Sequence, residues 1–323
     1  MNPIFQRLRT LLILGRISNL PTVWSNLLVG WILVGPRPDF LLLACVLFGG
    51  SFLYIGGMYL NDFCDAAYDT RYCRERPIPA GKISRRAVGI LSVLWFVAGL
   101  ACLAVLGSPV TLGIALLLIA AIVLYDFRHK DNVWSPLVMG TCRVLLYPLA
   151  ASASLGQGIV IDRFRNIHDL SPAVPDLWSF EALVLKTTLI VIPIAIPLGL
   201  YVAGITYLAK GESRPGKPTR WALVLLILPV AFSLSTYFNF PDRPTPFMAV
   251  ALICLLQLYW MAWLLVPLWR KTRPSIGRVV SGLLAGIVLV DMIALVPLVG
   301  PLGIALTPLF LLALVLQRFI PAT

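Results

Sequence analysis

Apolar stretches of roughly 18 to 25 residues, each long enough to cross about 30 Å of hydrocarbon, recur from one end of this chain to the other. They fall near 17–35, 40–60, 86–107, 109–125, 133–154, 184–208, 219–239, 246–269, 276–296 and 299–318. The last two are either separate or one helix broken at Pro297, Gly300 and Pro301. With 59% hydrophobic and 12% charged residues among 323, and no linker between soluble units, the chain is excluded from the water-soluble globules. It reads as one polytopic membrane domain over residues 1–323, with nine or ten spans.

Charge sets the orientation. With the N-terminus inside, Lys and Arg gather in the N-terminus, the loops after the second, fourth, sixth and eighth spans, and the C-terminus. Arg37, Arg163, Arg165, Lys186 and Arg243 are left on the far side, and Arg143 lies within the fifth span. The positive-inside rule then places the N-terminus and the charged loops in the cytoplasm of a bacterial-type plasma membrane. A net charge of +12 therefore implies no nucleic-acid partner, because basic loops against anionic membrane lipids account for it and also draw anionic substrates inward. Cys45, Cys102, Cys142 and Cys254 lie in apolar spans while Cys64 and Cys73 face a reducing compartment, so no disulfide framework is expected. No CxxC pair occurs and the only histidines are His129 and His168, which argues against zinc. Residues 4–14 read as a short amphipathic helix along the interface rather than a cleaved leader. The external connection at about 155–182 reads as an ordinary solvated loop, whereas the loops at 61–85 and 209–220 carry more charge than a connector needs. Each follows the second helix of a four-helix group, which hints at two related halves.

The first of these loops begins Asn61-Asp62-Phe63-Cys64-Asp65-Ala66-Ala67-Tyr68-Asp69. On a helix, Asp62, Asp65 and Asp69 share one face, where like charges repel by a few tenths of a kcal/mol per pair unless a cation is held between them. Mg²⁺ suits such a group, since it takes one or two protein carboxylates and completes its shell with water and phosphate oxygens. Arg71, Arg74, Arg76-Pro77-Ile78-Pro79-Ala80-Gly81 and Lys82 follow. Carboxylates for the cation with Arg and Lys for the phosphate oxygens are the parts of a metal-diphosphate site. Asn61, Asp62, Asp65 and Asp69 are the metal candidates and Arg76 a diphosphate candidate. Arg71, Lys82, Arg85 and Arg86 are equally well explained as solvated charges that obey topology.

These two motifs, Asn61-Asp62-x-x-Asp65-x-x-x-Asp69 and Arg76-Pro77-x-Pro79-x-Gly81, resemble the first signature of the UbiA superfamily of intramembrane prenyltransferases. Arg16-x-x-Asn19-x-Pro21-Thr22-x-Trp24 is similar to that family's first helix, Tyr125 with Lys130 to its loop after the fourth span, and Gly140-Thr141-Cys142-Arg143 to its fifth. Within the superfamily the chain most resembles the EboC-type branch, through Arg74-Glu75-Arg76-Pro77-Ile78-Pro79-Ala80-Gly81 and Gly204-Ile205-Thr206-Tyr207-Leu208-Ala209-Lys210. The resemblance implies an all-α integral membrane fold of about nine helices around a central cavity. It also implies Mg²⁺-dependent transfer of a prenyl group from a prenyl diphosphate to a hydrophobic acceptor, with Tyr125, Lys130 and Arg143 on the substrates. One departure stands out: the family's second acidic signature, DxxxD, has no counterpart in residues 201–217, where Glu212 is the one acidic residue. Lys210, with Arg214, then supplies the positive charge that a second ion would bring.

Asp291, inside the ninth span, costs roughly 2.5 to 3.5 kcal/mol if ionised there and needs a partner or a wet cavity; lining the acceptor site and making a structural hydrogen bond are both open. Asp126, Arg128 and Asp131 read as solvated loop charges. The tryptophans near span ends read chiefly as interfacial anchors. Two functions compete: an enzyme that alkylates an aromatic or other lipid-soluble acceptor, and a carrier that binds a prenylated or other anionic lipid without chemistry. A purely structural assembly factor leaves the aspartates without a purpose, and the glycine and arginine spacing of a CDP-alcohol phosphotransferase is missing.

Overall fold

Buried backbone in lipid must pair with itself, and among the described residues every regular element is a helix. The computed structural model describes residues 3–34, 39–106, 108–128, 132–165, 185, 187–210, 220–239, 245–269 and 276–322. In chain order the helices are α1 (Pro3–Leu14), α2 (Leu20–Leu33), α3 (Phe40–Tyr72), α4 (Arg85–Ala104), α5 (Pro109–Arg128), α6 (Ser135–Val144) and α7 (Leu146–Arg165). Then follow α8 (Ile192–Lys210), α9 (Arg220–Asn239), α10 (Phe247–Leu265), α11 (Ile276–Ala285), α12 (Ile287–Val299) and α13 (Thr307–Gln317).

The molecule is an integral membrane protein: eight helical stretches among the described residues are long and apolar enough to cross a bilayer. They follow the predicted positions with three differences. The predicted span 17–35 is delivered by a 3₁₀ turn at Ile17–Asn19 and by α2, which at 14 residues is too short to count alone. The span 133–154 is divided between α6 and α7. Ile276–Gln317 counts as a single apolar stretch of 42 residues, yet the chain turns back within it. Gln317 Nε2 donates to Ser281 O at 3.0 Å, a contact impossible along one continuous helix. The reversal falls at Gly300, whose φ of +63° glycine adopts without strain, and not at Pro297, which stays inside α12.

Helix α3 matters most for the site. Asp39 caps it by accepting from Leu41 N and Leu42 N at 3.1 Å. It then runs 33 residues, about 50 Å at 1.5 Å per residue, so its final turns outreach the hydrocarbon. Residues 61–72, expected in a loop, are therefore helical, and the loop proper is 73–84. Small residues let neighbours approach: a Cβ at Gly30 would lie 2.1 Å from Tyr147 O, and one at Gly140 2.3 Å from Gly199 O. Helix α2 thus presses against α7, and α6 against α8. One apolar core surrounds α8–α12, a second joins α2, α3, α5 and α7, and a third, smaller one (Leu14, Leu20, Ile55, Tyr59, Val88) lies beneath the end of α3. Helix α1 forms where a short amphipathic helix was predicted, with Ile4, Phe5 and Leu8 exposed along it.

Candidate active site

Asn61, Asp62 and Asp69 are buried near the end of α3 although the helix there has left the apolar sequence behind. What covers them is basic. Arg76 Nη1 lies 3.3 Å from Asp62 Oδ1 and 3.5 Å from Asp69 Oδ2, so one guanidinium spans carboxylates two turns apart. Arg16 Nη2 lies 3.5 Å from Asp62 Oδ1 and donates to Asn61 Oδ1 at 3.1 Å. The Asn61 amide is held from its other end as well, since Nδ2 donates to Asp126 Oδ1 at 3.0 Å. Asp65 is half-buried and couples electrostatically to Asp62 and Asp126, and Tyr125 couples to Asp126, Arg16 and Asp65.

Local sequence explains each placement. The loop after α3 is closed by Arg76 N to Cys73 O, Ala80 N to Arg76 O, Gly81 N to Ile78 O and Lys82 N to Pro77 O. Gly81 sits at φ +69° with nothing near its missing Cβ, so it is there for its backbone conformation. Ile78 packs on the small third core and pins the loop, which aims Arg76 at the aspartates. Arg16 itself occupies φ 42°, the one left-handed non-glycine among the described residues, and costs of order 1 kcal/mol or more. Burial is the largest influence on its pKa and lowers it, but Asp62 first, then Tyr54, Tyr125 and Asp126, outweigh burial and hold the guanidinium above its ordinary value.

Deeper in the bundle a second polar network crosses four helices. Arg143 Nη1 donates to Asn26 Oδ1 at 3.0 Å, and Asn26 Nδ2 donates to both Asp291 oxygens at 3.0 and 2.8 Å. Tyr147 adds its hydroxyl to Asp291 Oδ1 at 2.6 Å. Asp291 is wholly buried and so has the hydrogen-bonding partners its position demanded, with Arg143 as countercharge one residue removed. The Arg143 guanidinium also lies 5.5 Å from the Tyr54 ring centroid, and Tyr54 is among the groups Arg16 feels.

The structure thus gathers Asn61, Asp62, Asp65, Asp69, Arg76 and Tyr125 and adds two residues that were not site candidates, Arg16 and Asp126. Asp126, expected in solvent, is 5% exposed. It extends the inward face of α5 from Ala115 and Leu118, a helical period that could have revealed it. Arg16 was counted only as a topology charge and as part of a first-helix motif. Lys210 joins a different place: its Nζ donates to Asn132 O at 3.1 Å and to Ser135 Oγ, where α5 passes into α6. Tyr207, one turn earlier, donates to Val133 O at 3.1 Å. Arg143 belongs to the deeper network, while Lys130, Asp131, Glu212 and Arg214 lie outside the described residues.

Among the described residues, no three of His, Cys, Asp and Glu close around one point. Mg²⁺ does not require three, and the donors offered by Asn61, Asp62, Asp65 and Asp69 are all oxygens, as a hard ion needs. The gap between Asp62 and Asp69 already receives a cationic group, the Arg76 guanidinium. The residues present therefore fit the ion.

The UbiA prenyltransferase family model matches residues 19–277. A digeranylgeranylglyceryl phosphate synthase from Methanopyrus kandleri is 28% identical over 249 residues, covering 69% of this chain and 85% of that protein. A 4-hydroxybenzoate octaprenyltransferase from Nitrosococcus oceani is 28% identical over 143 residues, 42% of this chain and just under half, 47%, of that one. The fold is similar to the apo structure of a UbiA homologue from Aeropyrum pernix K1, with a TM-score of 0.64 at 16% identity, covering 92% of this chain and 98% of the other.

Proposed function

Because the chain belongs to the UbiA prenyltransferase family, we propose that it transfers a prenyl group from a prenyl diphosphate to a lipid-soluble acceptor within the membrane, with residues 1–323 acting as one domain. The observation that carries this reading is a pair of buried carboxylates, Asp62 and Asp69, bridged by Arg76 and flanked by Arg16 at the end of a membrane helix. Asn61, Asp62, Asp65 and Asp69 would hold Mg²⁺, which when bound would supply positive charge to the diphosphate. The bond from the prenyl C1 to oxygen breaks, and its electron pair departs with the diphosphate. Arg76, Arg16 and Lys130 balance that charge, and Lys210 contributes from the α5–α6 junction. The resulting allylic cation is kept from water by the apolar spans and is taken by the acceptor's nucleophilic atom, whose displaced proton leaves to the released diphosphate. Asp126 acts by orienting Asn61: with Nδ2 turned to Asp126, Oδ1 is presented to the cluster, where it accepts from Arg16 Nη2.

Relatives named for making digeranylgeranylglyceryl phosphate and for octaprenyl transfer to 4-hydroxybenzoate support two classes of acceptor, a lipid alcohol and a phenol. Within the family the chain stands nearest the EboC-type branch, on Arg74–Gly81 and Gly204–Lys210. The N-terminus and the α3 end face the cytoplasm, on the distribution of Lys and Arg. A second reading, a carrier that binds the prenyl lipid without turning it over, is favoured by the absence of any carboxylate in residues 201–210. Incubation of the purified protein with geranylgeranyl diphosphate, Mg²⁺ and candidate acceptors tests the two. The enzyme releases diphosphate and yields a prenylated product visible by mass spectrometry, whereas Mg²⁺-dependent binding of the donor with no diphosphate release in the presence of any acceptor establishes the carrier.

A further inference from the structure

On the side of α3 away from Asp62 lies a groove that the proposed reaction does not use. Phe63 of α3 lines it with Arg85, Arg86, Ile90, Val93 and Leu94 of α4, and it is a shallow, open groove of about 830 Å³. Its walls are sorted by depth. Arg85 and Arg86 form the first turn of α4, at the end of a span of 20 residues, which puts them level with lipid headgroups. Leu94 lies eight residues further, about 12 Å deeper at 1.5 Å per residue, so the apolar part of the groove runs down into the hydrocarbon. Ile90, Val93 and Leu94 are each more than half exposed.

The charged end is built rather than loose. Arg85 Nε donates to Phe63 O at 3.0 Å and its guanidinium lies 4.6 Å from the Phe63 ring centroid, which fixes the fork in place at the groove's mouth. Among the described residues, neither Arg85 nor Arg86 pairs with a carboxylate, while Arg16 and Arg76 nearby both do. Two uncompensated guanidinium groups above an apolar channel of this depth complement a phosphate headgroup with its acyl chain.

We infer that this α3–α4 groove is a binding site for an anionic membrane phospholipid, its phosphate on Arg85 and Arg86 and an acyl chain along Ile90, Val93 and Leu94. The site is separate from the Asp62–Arg76 cluster, and its occupant is a resident lipid, not a substrate. The test is native mass spectrometry of the full chain released from mixed phosphatidylglycerol and phosphatidylcholine vesicles. The wild type retains phosphatidylglycerol preferentially. Arg85→Gln with Arg86→Gln lowers that retention about 5- to 30-fold, at roughly fivefold per arginine near an anionic surface, while Arg278→Gln, exposed at the start of α11, leaves it unchanged. Ile90→Trp, which fills the channel and keeps both charges, lowers retention as well. Equal retention of the two lipids by the wild type, or phosphatidylglycerol retention indifferent to both the double variant and Ile90→Trp, overturns the inference. So does one-for-one displacement of the retained lipid by geranylgeranyl diphosphate, which assigns the groove to the donor.

Discussion

At the scale of single residues, the site works through groups held from two sides. Arg76 serves two carboxylates through the single nitrogen Nη1, with the other donors of its planar fork left for a diphosphate, which a compact ammonium cannot copy. Arg76→Lys should therefore weaken donor binding by about tenfold, measured as KM for the diphosphate, with the fold intact. Asp126→Asn removes the preference that fixes the Asn61 amide, because either end of Asn61 can then pair with it. Turnover should fall about tenfold and Mg²⁺ affinity with it, whereas Asp126→Glu should recover part of both, a split that loss of packing alone would not give. The aspartates, Asn61 and Arg76 were legible in the sequence because a fixed spacing on one helix places them together. Asp126 was legible only as a continuation of the inward face of α5. Arg16 was not, since a charge beside a span looks the same whether it faces water or a neighbouring helix, and only tertiary packing tells those cases apart.

Individual helices position these residues through close backbone approach. Asn26 sits one turn before Gly30, where α2 meets Tyr147 O of α7. A methyl group there has no room, so Gly30→Ala should destabilise the protein by about 1–3 kcal/mol, read as a lower thermal unfolding temperature in detergent. It should also spread the Asn26, Asp291 and Tyr147 contacts. Removing the carboxylate is harsher: Asp291→Leu strands Asn26 and Tyr147 and leaves Arg143 buried without countercharge, a loss of about 3–5 kcal/mol that retention of the folded peak in size-exclusion chromatography would contradict. Span positions were readable from hydropathy to within a few residues, since length in lipid is a hard constraint. The continuation of α3 to Tyr72 was not, because hydropathy marks where a helix leaves the membrane and not where it stops. The reversal at Gly300 was suggested by Pro297, Gly300 and Pro301, but only the Gln317 contact with Ser281 distinguishes a fold-back from a kink.

For the whole molecule, the chain keeps the family fold, and residues 201–217, where the resemblance implies a second acidic signature, carry Glu212 as their one acidic residue. Lys210, expected on the diphosphate, reaches Asn132 and Ser135 and ties the end of α8 to the start of α6. Its proposed part in catalysis is thus a charge at the rim, and Lys210→Ala should cost turnover less than Arg76→Ala does in a side-by-side assay. The account as a whole depends on the α3 aspartates joining Mg²⁺ to the donor's diphosphate. Titration calorimetry of geranylgeranyl diphosphate against the purified protein, with Mg²⁺ and with chelator, for the wild type and for Asp62→Asn with Asp69→Asn, addresses this directly. Mg²⁺ should tighten binding by tenfold or more in the wild type, about 1.4 kcal/mol, and leave the double variant unaffected. Equal affinity with and without the ion, or an undiminished Mg²⁺ effect in the variant, would contradict the account.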